Sequence, residues 1–282
     1  MIISLYFSVS TEPMRNTVLL VFILAIIACS THPYKSTNKV YKQKVKAYAK
    51  EIAALPIESS FSDSALMPPY WVGTTNFNLR KPTFVIIHHT AQNSCDQTLK
   101  TFTLPRTSVS AHYVICKSGV LHHMLNDYLR AWHGGVGKWG NQTDINSASI
   151  GIELDNNGFE PFDSLQINSL LSLLNRLKKQ YAIPTANFIG HGDIAPTRKN
   201  DPNYRFPWRL LAEKGFGLWY DENREPVPAN FNHIQALRII GYDVKDTSAA
   251  IQAFKRHFLQ GTTKRINDLD KSILHNLQKK YY

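Results

Sequence analysis

The sequence predicts an α/β domain with a mixed central β-sheet flanked by helices, followed by a small all-α domain of three helices. Three observations lead to this prediction. Short apolar runs with strand character recur between about residues 84 and 190, a long segment of helical periodicity lies among them, and three further helical patterns follow near the C-terminus. Buried strands interrupted by an amphipathic helix are typical of a layered sheet covered by helices.

The predicted strands are apolar runs bounded by turn-forming residues, and they lie at 84–90, 111–116, 119–124, 148–154 and 187–190. The second and third strands flank Lys117-Ser118, which predicts a hairpin. The fourth is followed by the turn formers Asp155-Asn-Asn-Gly158, which indicate where that strand ends.

Helices are predicted from apolar residues that recur every three or four positions. The longest runs from Ser164 to Tyr181, with Asp163 or Ser164 as its N-cap, and a short one runs from Pro207 to Lys214. Beyond a polar, proline-bearing linker at 221–229, three more are predicted at about 230–240, 247–259 and 268–280. The apolar residues expected to be buried by these three helices are Ile234, Leu237, Ile240, Ile251, Phe254, Phe258, Leu269, Ile273 and Leu277.

The N-terminus predicts export from the cytoplasm. Arg15 precedes the apolar run 17–28, which is too short to span a bilayer comfortably. Cys29 follows directly and resembles the lipobox cysteine at which bacterial lipoproteins are cleaved and acylated, and Ser30 implies sorting to the outer membrane. We therefore expect residues 1–28 to be a lipoprotein signal peptide. An uncleaved anchor, or a plain signal peptide with an incidental cysteine, is the alternative.

The chain of 282 residues then divides into a tether at 29–70, the α/β domain at 71–222 and the three-helix domain at 229–282. The tether is rich in lysine, with a helical piece predicted around Tyr41 to Ala54. The net charge of +11 suits an anionic partner. Because the N-terminus predicts export, that partner is expected to be an envelope polymer or lipid headgroups rather than nucleic acid.

Two cysteines, Cys95 and Cys116, remain after the lipobox cysteine. Both lie near predicted strand ends, and in an oxidising periplasm they could pair. Two cysteines do not define a disulfide framework, so the sequence leaves open whether they are bonded.

The segment 191–202 is the best candidate for a functional loop. It contains His191, Lys199 and Asp201 close together, in a stretch where two prolines discourage helix. Imidazole and carboxylate oxygen are both zinc ligand types, and His88, at the end of an apolar strand, is the candidate third ligand. Taken singly, each of these residues is as readily a hydrogen-bonded structural histidine or a turn aspartate.

Glu153 lies in the middle of an apolar strand. Strand alternation places Ile150, Ile152 and Leu154 on one face, so Glu153 and Gly151 lie on the opposite face. A buried carboxylate is costly unless it is paired or hydrogen-bonded, so this residue is expected either to form a structural ion pair or to serve as a catalytic group.

Together these residues indicate a catalytic zinc site. His88, His191 and Asp201 would bind one Zn²⁺ ion and leave a fourth position for water. Glu153 could transfer a proton from this water to a leaving nitrogen, and Lys199 could stabilise an oxyanion. The sequence contains no His-Glu-x-x-His, Gly-x-Ser-x-Gly or Gly-rich phosphate-loop signature, so the chemistry indicated is amide hydrolysis.

Five short motifs follow one another along the chain: Ile87-His-His-Thr-Ala91, Ser110-Ala-His-Tyr-Val114, Ala131-Trp-His-Gly134, Ser149-Ile-Gly-Ile-Glu153 and His191 to Pro202. In this order they resemble the motifs of the type-2 N-acetylmuramoyl-L-alanine amidases, the zinc family that includes peptidoglycan recognition proteins. The resemblance implies that His88, His191 and Asp201 bind zinc, that Glu153 is the catalytic acid/base and that Lys199 assists it. It also implies peptidoglycan or muropeptides as partner, with cleavage between the lactyl group of N-acetylmuramic acid and L-alanine.

Other motif residues have less defined roles. His89 follows the predicted ligand, at a position where the family often has an aromatic residue. His112 and His133 match motif positions and are predicted to contact substrate or to support the ligands rather than to bind the metal. Trp132 and Trp139 either line a sugar-binding groove or pack in the core.

Two alternatives remain for the whole chain: a non-catalytic muropeptide receptor of the envelope, and a zinc peptidase or deacetylase acting on another peptidoglycan bond. The tail 241–258 resembles three-helix peptidoglycan-binding domains, but 266–272 lacks the glycine usual before the last helix. The three-helix domain is therefore expected either to bind glycan or only to buttress the catalytic domain.

Overall fold

The structure is a computed structural model that describes residues 33–53, 74, 76, 79 and 81–282. Residues 1–32, which include the predicted signal peptide and Cys29, and the tether residues 54–70 lie outside the described residues. The chain forms two compact units, Met1–Asn76 and Phe77–Tyr282.

The described part of the first unit is one helix, α1 (Lys35–Ala53), which begins six residues earlier than the predicted helical piece. Its first turn contains a serine, a threonine and an asparagine, which are weak helix formers. The sequence pattern therefore does not indicate that the helix begins at Lys35. No residue of α1 is buried. Across the residues that the structure describes, no helix combines the length and apolar character needed to cross a membrane.

The second unit is built on a five-stranded sheet, with strands β1 (Phe84–His89), β2 (Tyr113–Ile115), β3 (Leu121–His123), β4 (Ser149–Leu154) and β5 (Phe188–Gly190). Their order across the sheet is β3-β2-β4-β1-β5. All neighbouring pairs are parallel except β2 with β3, the predicted hairpin. The mixed sheet flanked by helices confirms the predicted fold class.

The described helices of this unit are α2 (Cys95–Thr103), α3 (Ile145–Ala148), α4 (Ser164–Tyr181), α5 (His191–Ile194), α6 (Trp208–Glu213), α7 (His233–Ile240), α8 (Thr247–Leu259) and α9 (Asp268–Tyr281). The long helix, the short helix and the three C-terminal helices all lie where their periodicity predicts. Helix α2 differs from the prediction, because its nine residues include three β-branched threonines and therefore give a weak helical signal. The single turns α3 and α5 are also absent from the predicted elements.

One face of the sheet is covered by α4. Ile150, Ile152 and Leu154 of β4 pack in one buried cluster with apolar residues of α4, such as Leu170 and Leu174. This confirms the predicted burial of that face of β4 under the long helix. Glu153 consequently lies on the opposite face.

The opposite face carries the C-terminal helices. Ile86 of β1 and Ile189 of β5 share a buried cluster with Leu237 of α7, Phe254 of α8 and Leu274 of α9. The helices after the linker thus share a core with the sheet, while the predicted domain division at 221–229 stays a prediction.

Two residues in the predicted core of the C-terminal helices differ from expectation. Leu269 is 48% exposed, and Ile234 is only partly buried. Leu269 lies in the first turn of α9, at the edge of the face whose buried residues are Asp270, Ile273, Leu274 and Leu277.

A disulfide joins Cys95 and Cys116, whose Cα atoms lie 5.3 Å apart. It connects the first residue of α2 to the residue that follows β2. The side-chain oxygen of Ser94 caps the same end of α2 by accepting a hydrogen bond from the backbone N–H of Gln97. The helix is therefore fixed to the sheet at its N-terminus.

We predict that replacing both cysteines by alanine lowers the free energy of unfolding by about 3 kcal/mol, because the bond closes a loop of 21 residues in the unfolded chain. Denaturant unfolding of the oxidised, reduced and doubly substituted protein measures this change. Equal unfolding midpoints for all three forms would contradict the prediction.

Candidate metal centre

The sheet brings two of the predicted site residues together. His88 and Glu153 are register partners on the adjacent parallel strands β1 and β4. Paired residues of neighbouring strands project from the same face, so both side chains lie on the side opposite α4. The Nδ1 atom of His88 lies 3.9 Å from Oε1 of Glu153.

The loop after β5 brings the other two ligand candidates. The chain leaves β5 at Gly190 and forms the single turn α5, which ends before Pro196. The backbone N–H of Gly192 donates to the carbonyl of Asp201 at 2.6 Å, which folds the loop back on itself. This closure places Asp201 beside His191.

The three predicted ligands converge on one point. The Oδ2 atom of Asp201 lies 3.0 Å from Nδ1 of His88 and 3.0 Å from Nδ1 of His191. All three residues are buried, and they form a group whose ligand atoms lie within 4.8 Å of one another. The arrangement agrees with the ligand set that the sequence predicted, and His89 is not part of it.

The outer nitrogen of each ligand histidine has its own partner. The Nε2 atom of His88 lies 3.1 Å from Nδ1 of His133, whose Nε2 in turn lies 3.2 Å from Oγ of Ser149. The Ser149 hydroxyl donates to the carbonyl of Ile145 at 2.6 Å. This series of hydrogen bonds ends on a carbonyl oxygen, which can only accept, so the direction of every bond in it is fixed. His133 therefore donates from Nε2 to Ser149, and His88 donates from Nε2 to His133. The Nδ1 atom of His88 consequently carries no proton.

His191 is held in the same way. Its Nε2 lies 3.1 Å from the carbonyl oxygen of Gly134, which can only accept, so Nε2 carries the proton and Nδ1 is bare. Arg198 donates to the same carbonyl at 3.0 Å. Bare Nδ1 atoms on two oriented imidazoles, with one carboxylate oxygen between them, form a donor set that fits a zinc ion.

The charge states also suit a cation. Burial lowers the pKa of His88 to about 4, so its imidazole is neutral. Burial also lowers the pKa of His133 well below its usual value, and the neighbouring imidazoles add to the shift. Burial alone would raise the pKa of Asp201, but the adjacent imidazoles of His191 and His88 outweigh it and hold this pKa well below its usual range. Neutral imidazole and ionised carboxylate are the forms that bind metals.

Glu153 differs from Asp201. Burial raises its pKa to about 8, the charge of Asp201 adds to this rise, and the Lys199 ammonium opposes it. Its Oε2 atom is buried and has no hydrogen-bond partner among the described residues. A buried carboxyl oxygen without a partner is costly in a folded protein, so this atom is a candidate to meet a bound molecule.

The site opens into a cleft of about 340 Å³. The predicted site residues His88, His133, Glu153, Lys199 and Asp201 all contribute to its lining. Helix α2, which the sequence did not reveal, supplies part of the wall through Thr98, Thr101 and Phe102. The disulfide therefore anchors one wall of the cleft.

The two histidines predicted to contact substrate are placed differently. His133 lines the cleft, whereas His112 is fully buried, with Nε2 2.9 Å from the carbonyl of Leu129 and Nδ1 accepting from the backbone N–H of Gly151 at 3.1 Å. These contacts attach His112 to β4. Contact of either histidine with substrate stays a prediction.

The two tryptophans were expected either to line a sugar-binding groove or to pack in the core, and the structure places one in each kind of environment. Trp132 lines the cleft and is 54% exposed, whereas Trp139 is buried in the cluster of the C-terminal helices. His89 also lines the cleft, and no described residue hydrogen-bonds its buried Nδ1 atom.

A second group with metal-ligand chemistry, Cys95, Cys116 and His122, also lies within the described part of the chain. The disulfide occupies both sulfur atoms, so no thiolate is present to bind a metal there.

Comparison with known proteins agrees with this geometry. A family model described as N-acetylmuramoyl-L-alanine amidase matches residues 78–204. The N-acetylmuramoyl-L-alanine amidase AmiD of Escherichia coli K12 is 33% identical over 207 residues, which is 62% of this chain and 74% of AmiD.

Two solved structures are similar in fold. The complex of E. coli AmiD with anhydro-N-acetylmuramic acid-L-Ala-D-γ-Glu-L-Lys has a TM-score of 0.66 at 29% identity, over 74% of this chain and 93% of AmiD. AmpDh3 of Pseudomonas aeruginosa in complex with anhydromuramic pentapeptide has a TM-score of 0.66 at 27% identity, over 77% of this chain and 99% of AmpDh3.

The fold, the converging residues and these matches define the class of the protein. The chain belongs to the N-acetylmuramoyl-L-alanine amidase family. Within that family it is similar to AmiD both in sequence and in fold.

Gly151 provides a test of the site's packing. A Cβ atom on this residue would lie 2.4 Å from Cγ of His133. We predict that Gly151→Ala lowers the free energy of unfolding by about 1–3 kcal/mol, because the ring that supports His88 has to move. Denaturant unfolding measures the change.

Gly261→Ala is the control, since the nearest atoms to its added methyl lie at 3.9 Å, an ordinary contact distance. It should unfold at or slightly above the wild-type midpoint. A Gly151→Ala protein as stable as this control would show that the His133 ring is not tightly held.

Proposed function

We propose that this protein is a zinc-dependent amidase that hydrolyses the bond between the lactyl group of N-acetylmuramic acid and L-alanine of the peptidoglycan stem peptide. The observation that carries the proposal is the convergence of His88, His191 and Asp201 on one point, beside the unpartnered Oε2 atom of Glu153. Membership of the amidase family supplies the bond that is cut.

His88, His191 and Asp201 would hold the zinc ion, and each is fixed in place before any ion binds. The two imidazoles are oriented by His133 and by the Gly134 carbonyl, and the carboxylate by the closed loop. When bound, zinc acts as a Lewis acid and lowers the pKa of water. The family is zinc-dependent in general, which supports the choice of metal.

Glu153 is the acid/base residue of the proposed reaction. Its Oε2 atom would accept a proton from the attacking water and return that proton to the leaving amide nitrogen. A pKa raised to about 8 by burial suits a group that has to accept and release a proton near neutral pH. Burial of the carboxyl group is thus the main cause of the raised pKa of Glu153.

Lys199 would stabilise the negative charge that develops on the carbonyl oxygen of the scissile bond. It lines the cleft and is close enough to Glu153 to oppose the rise in its pKa. Its backbone N–H donates to the carbonyl of Ala195 at 2.9 Å, so the residue is part of the same closed loop as the ligands.

The proposed substrate is peptidoglycan or a muropeptide released from it. Both structural neighbours described above are complexes with anhydromuramyl peptides, which supports this substrate class. The cleft offers the exposed ring of Trp132 at its edge, a surface that suits the face of a sugar.

A non-catalytic muropeptide receptor is the alternative function. Receptors within the family typically lack one of the zinc ligands. Here all three ligand candidates converge, and Glu153 and Lys199 line the same cleft, so the enzyme is favoured over the receptor.

We further propose that the protein is a lipoprotein of the outer membrane, anchored through Cys29 and facing the periplasm. The apolar run 17–28, the lipobox cysteine and Ser30 support this location. Helix α1, a short distance after the proposed anchor, carries six lysines against one glutamate, which suits anionic phospholipid headgroups.

Substitutions in the site test the enzymatic proposal. Glu153→Ala should keep zinc and lose about 10²–10⁴-fold in rate, because only proton transfer is removed. Asp201→Ala should lose both zinc and activity, because a ligand is removed. Metal content and turnover of purified muropeptides measure the two effects, with the exposed Glu213→Ala as a control that retains both.

The products decide between the proposed amidase and enzymes that cut other bonds. Mass spectrometry of digested sacculi should detect free stem peptides. Fragments that keep the lactyl–alanine bond, or an active Asp201→Ala protein free of metal, would be incompatible with the proposal.

For the lipid anchor, we predict that palmitate labels the wild-type protein and that Cys29→Ser removes the label. Cys95→Ser should remain labelled, because this cysteine lies in the disulfide rather than in the lipobox. Labelling of the Cys29→Ser protein would rule out acylation at this residue.

A further inference from the structure

We propose that Asp193, Tyr242 and His257 form a positioning cluster through which the C-terminal helices hold the loop of His191 and Asp201 in its metal-binding shape. The inference rests on the proposed function, since it assigns these residues a part in zinc binding. None of the three contacts the converging ligand atoms.

Asp193 is the centre of the cluster and lies only two residues after His191. The residue is 4% exposed, and its carboxylate accepts three hydrogen bonds. Oδ2 accepts from the backbone N–H of Gly190 at 2.8 Å and from Nδ1 of His257 at 2.8 Å, and Oδ1 accepts from the hydroxyl of Tyr242 at 3.1 Å. One carboxylate therefore joins the backbone just before His191 to two residues of the C-terminal region.

The two partners of Asp193 are themselves fixed by aromatic contacts. The His257 ring of α8 stacks on Trp208, with ring centroids 3.9 Å apart and planes inclined by 10°. The Tyr242 ring packs edge-on against Trp139, with centroids 4.9 Å apart. Because neither partner is free to follow a moving carboxylate, the position of Asp193 is determined by the C-terminal helices.

Arg256, next to His257 on α8, contacts the other part of the loop. Its Nη1 atom lies 3.5 Å from the carbonyl oxygen of Lys199, and it would lie 2.4 Å from a Cβ atom on Gly192. The guanidinium is buried, and burial lowers its pKa while the charges of Asp193 and Asp201 oppose that shift. The side chain therefore lies against both arms of the loop, and Gly192 leaves the space for it.

These contacts predict that substitutions in the cluster will lower the affinity of the site for zinc. Removing one member leaves a buried polar group unsatisfied, and the nearest group that can relax is the loop. Partners that orient metal ligands typically contribute 10–100-fold to metal affinity. A cluster that acted only on overall stability would leave that affinity unchanged.

The same helix provides a matched control. Lys255 precedes Arg256, and its ammonium forms a buried ion pair with Asp270 of α9 at 2.7 Å. Its other hydrogen bond goes to the carbonyl of Arg265. This pair thus connects the C-terminal helices to one another and has no contact with the loop.

The test uses the full chain and compares Tyr242→Phe and Asp193→Asn with the control Asp270→Asn. Zinc affinity is measured by competition with a chromogenic chelator, at a temperature where every variant is folded, and thermal unfolding is measured without metal. We expect Tyr242→Phe, which removes only a hydroxyl, and Asp193→Asn to weaken zinc binding by about 10–100-fold. Asp270→Asn should lower the unfolding temperature and leave zinc affinity within about twofold of wild type.

Three results would overturn the inference. In the first, the wild-type protein binds zinc, and Tyr242→Phe and Asp193→Asn bind it equally tightly. This result would remove the positioning role and leave the proposed function intact. Asp270→Asn could weaken zinc binding as much as the other two, which reduces the cluster to a general effect on stability. A wild-type chain that binds no zinc would overturn the proposed function and this inference together.

Discussion

The parallel pairing of β1 with β4 on one side and β5 on the other is the constraint on which the site depends. Parallel strands end at the same edge of a sheet, so His88, Glu153 and the loop that starts at His191 meet at that edge, although they are far apart in the sequence. The apolar faces of β1 and β4 pack under α4 and fix the register of the strands. A shift of one residue would turn Glu153 into that core.

The second feature of the site is its division of charge between two carboxyl groups. Asp201 lies beside the imidazoles of His191 and His88, which hold its pKa well below the usual range, whereas burial raises the pKa of Glu153 to about 8. One group is thereby suited to bind a cation and the other to exchange a proton. Environments that separate the pKa values of neighbouring acids commonly define their separate roles.

Local sequence signals were enough to predict five strands, most helices and the three residues that converge beside Glu153. Alternation in β4 placed Glu153 correctly, and the turn-rich segment after β5 correctly indicated the loop. These signals did not predict the features that depend on tertiary contacts. Helix α2 is held by the Ser94 cap and the disulfide rather than by strong periodicity, and the Asp193 cluster joins residues 49 and 64 positions apart, which no local pattern reveals.

The C-terminal helices connect these points. They share a buried cluster with Ile86 and Ile189 of the sheet, on the face that also carries His88. That shared core brings α8 against α5, so polar residues of α8 lie within hydrogen-bond distance of the loop. Apolar burial alone would not fix the position of the loop, because the hydrophobic effect is not directional. The hydrogen bonds of Asp193 are directional, and through them a helical tail that resembles a glycan-binding module becomes a structural support of the candidate metal centre.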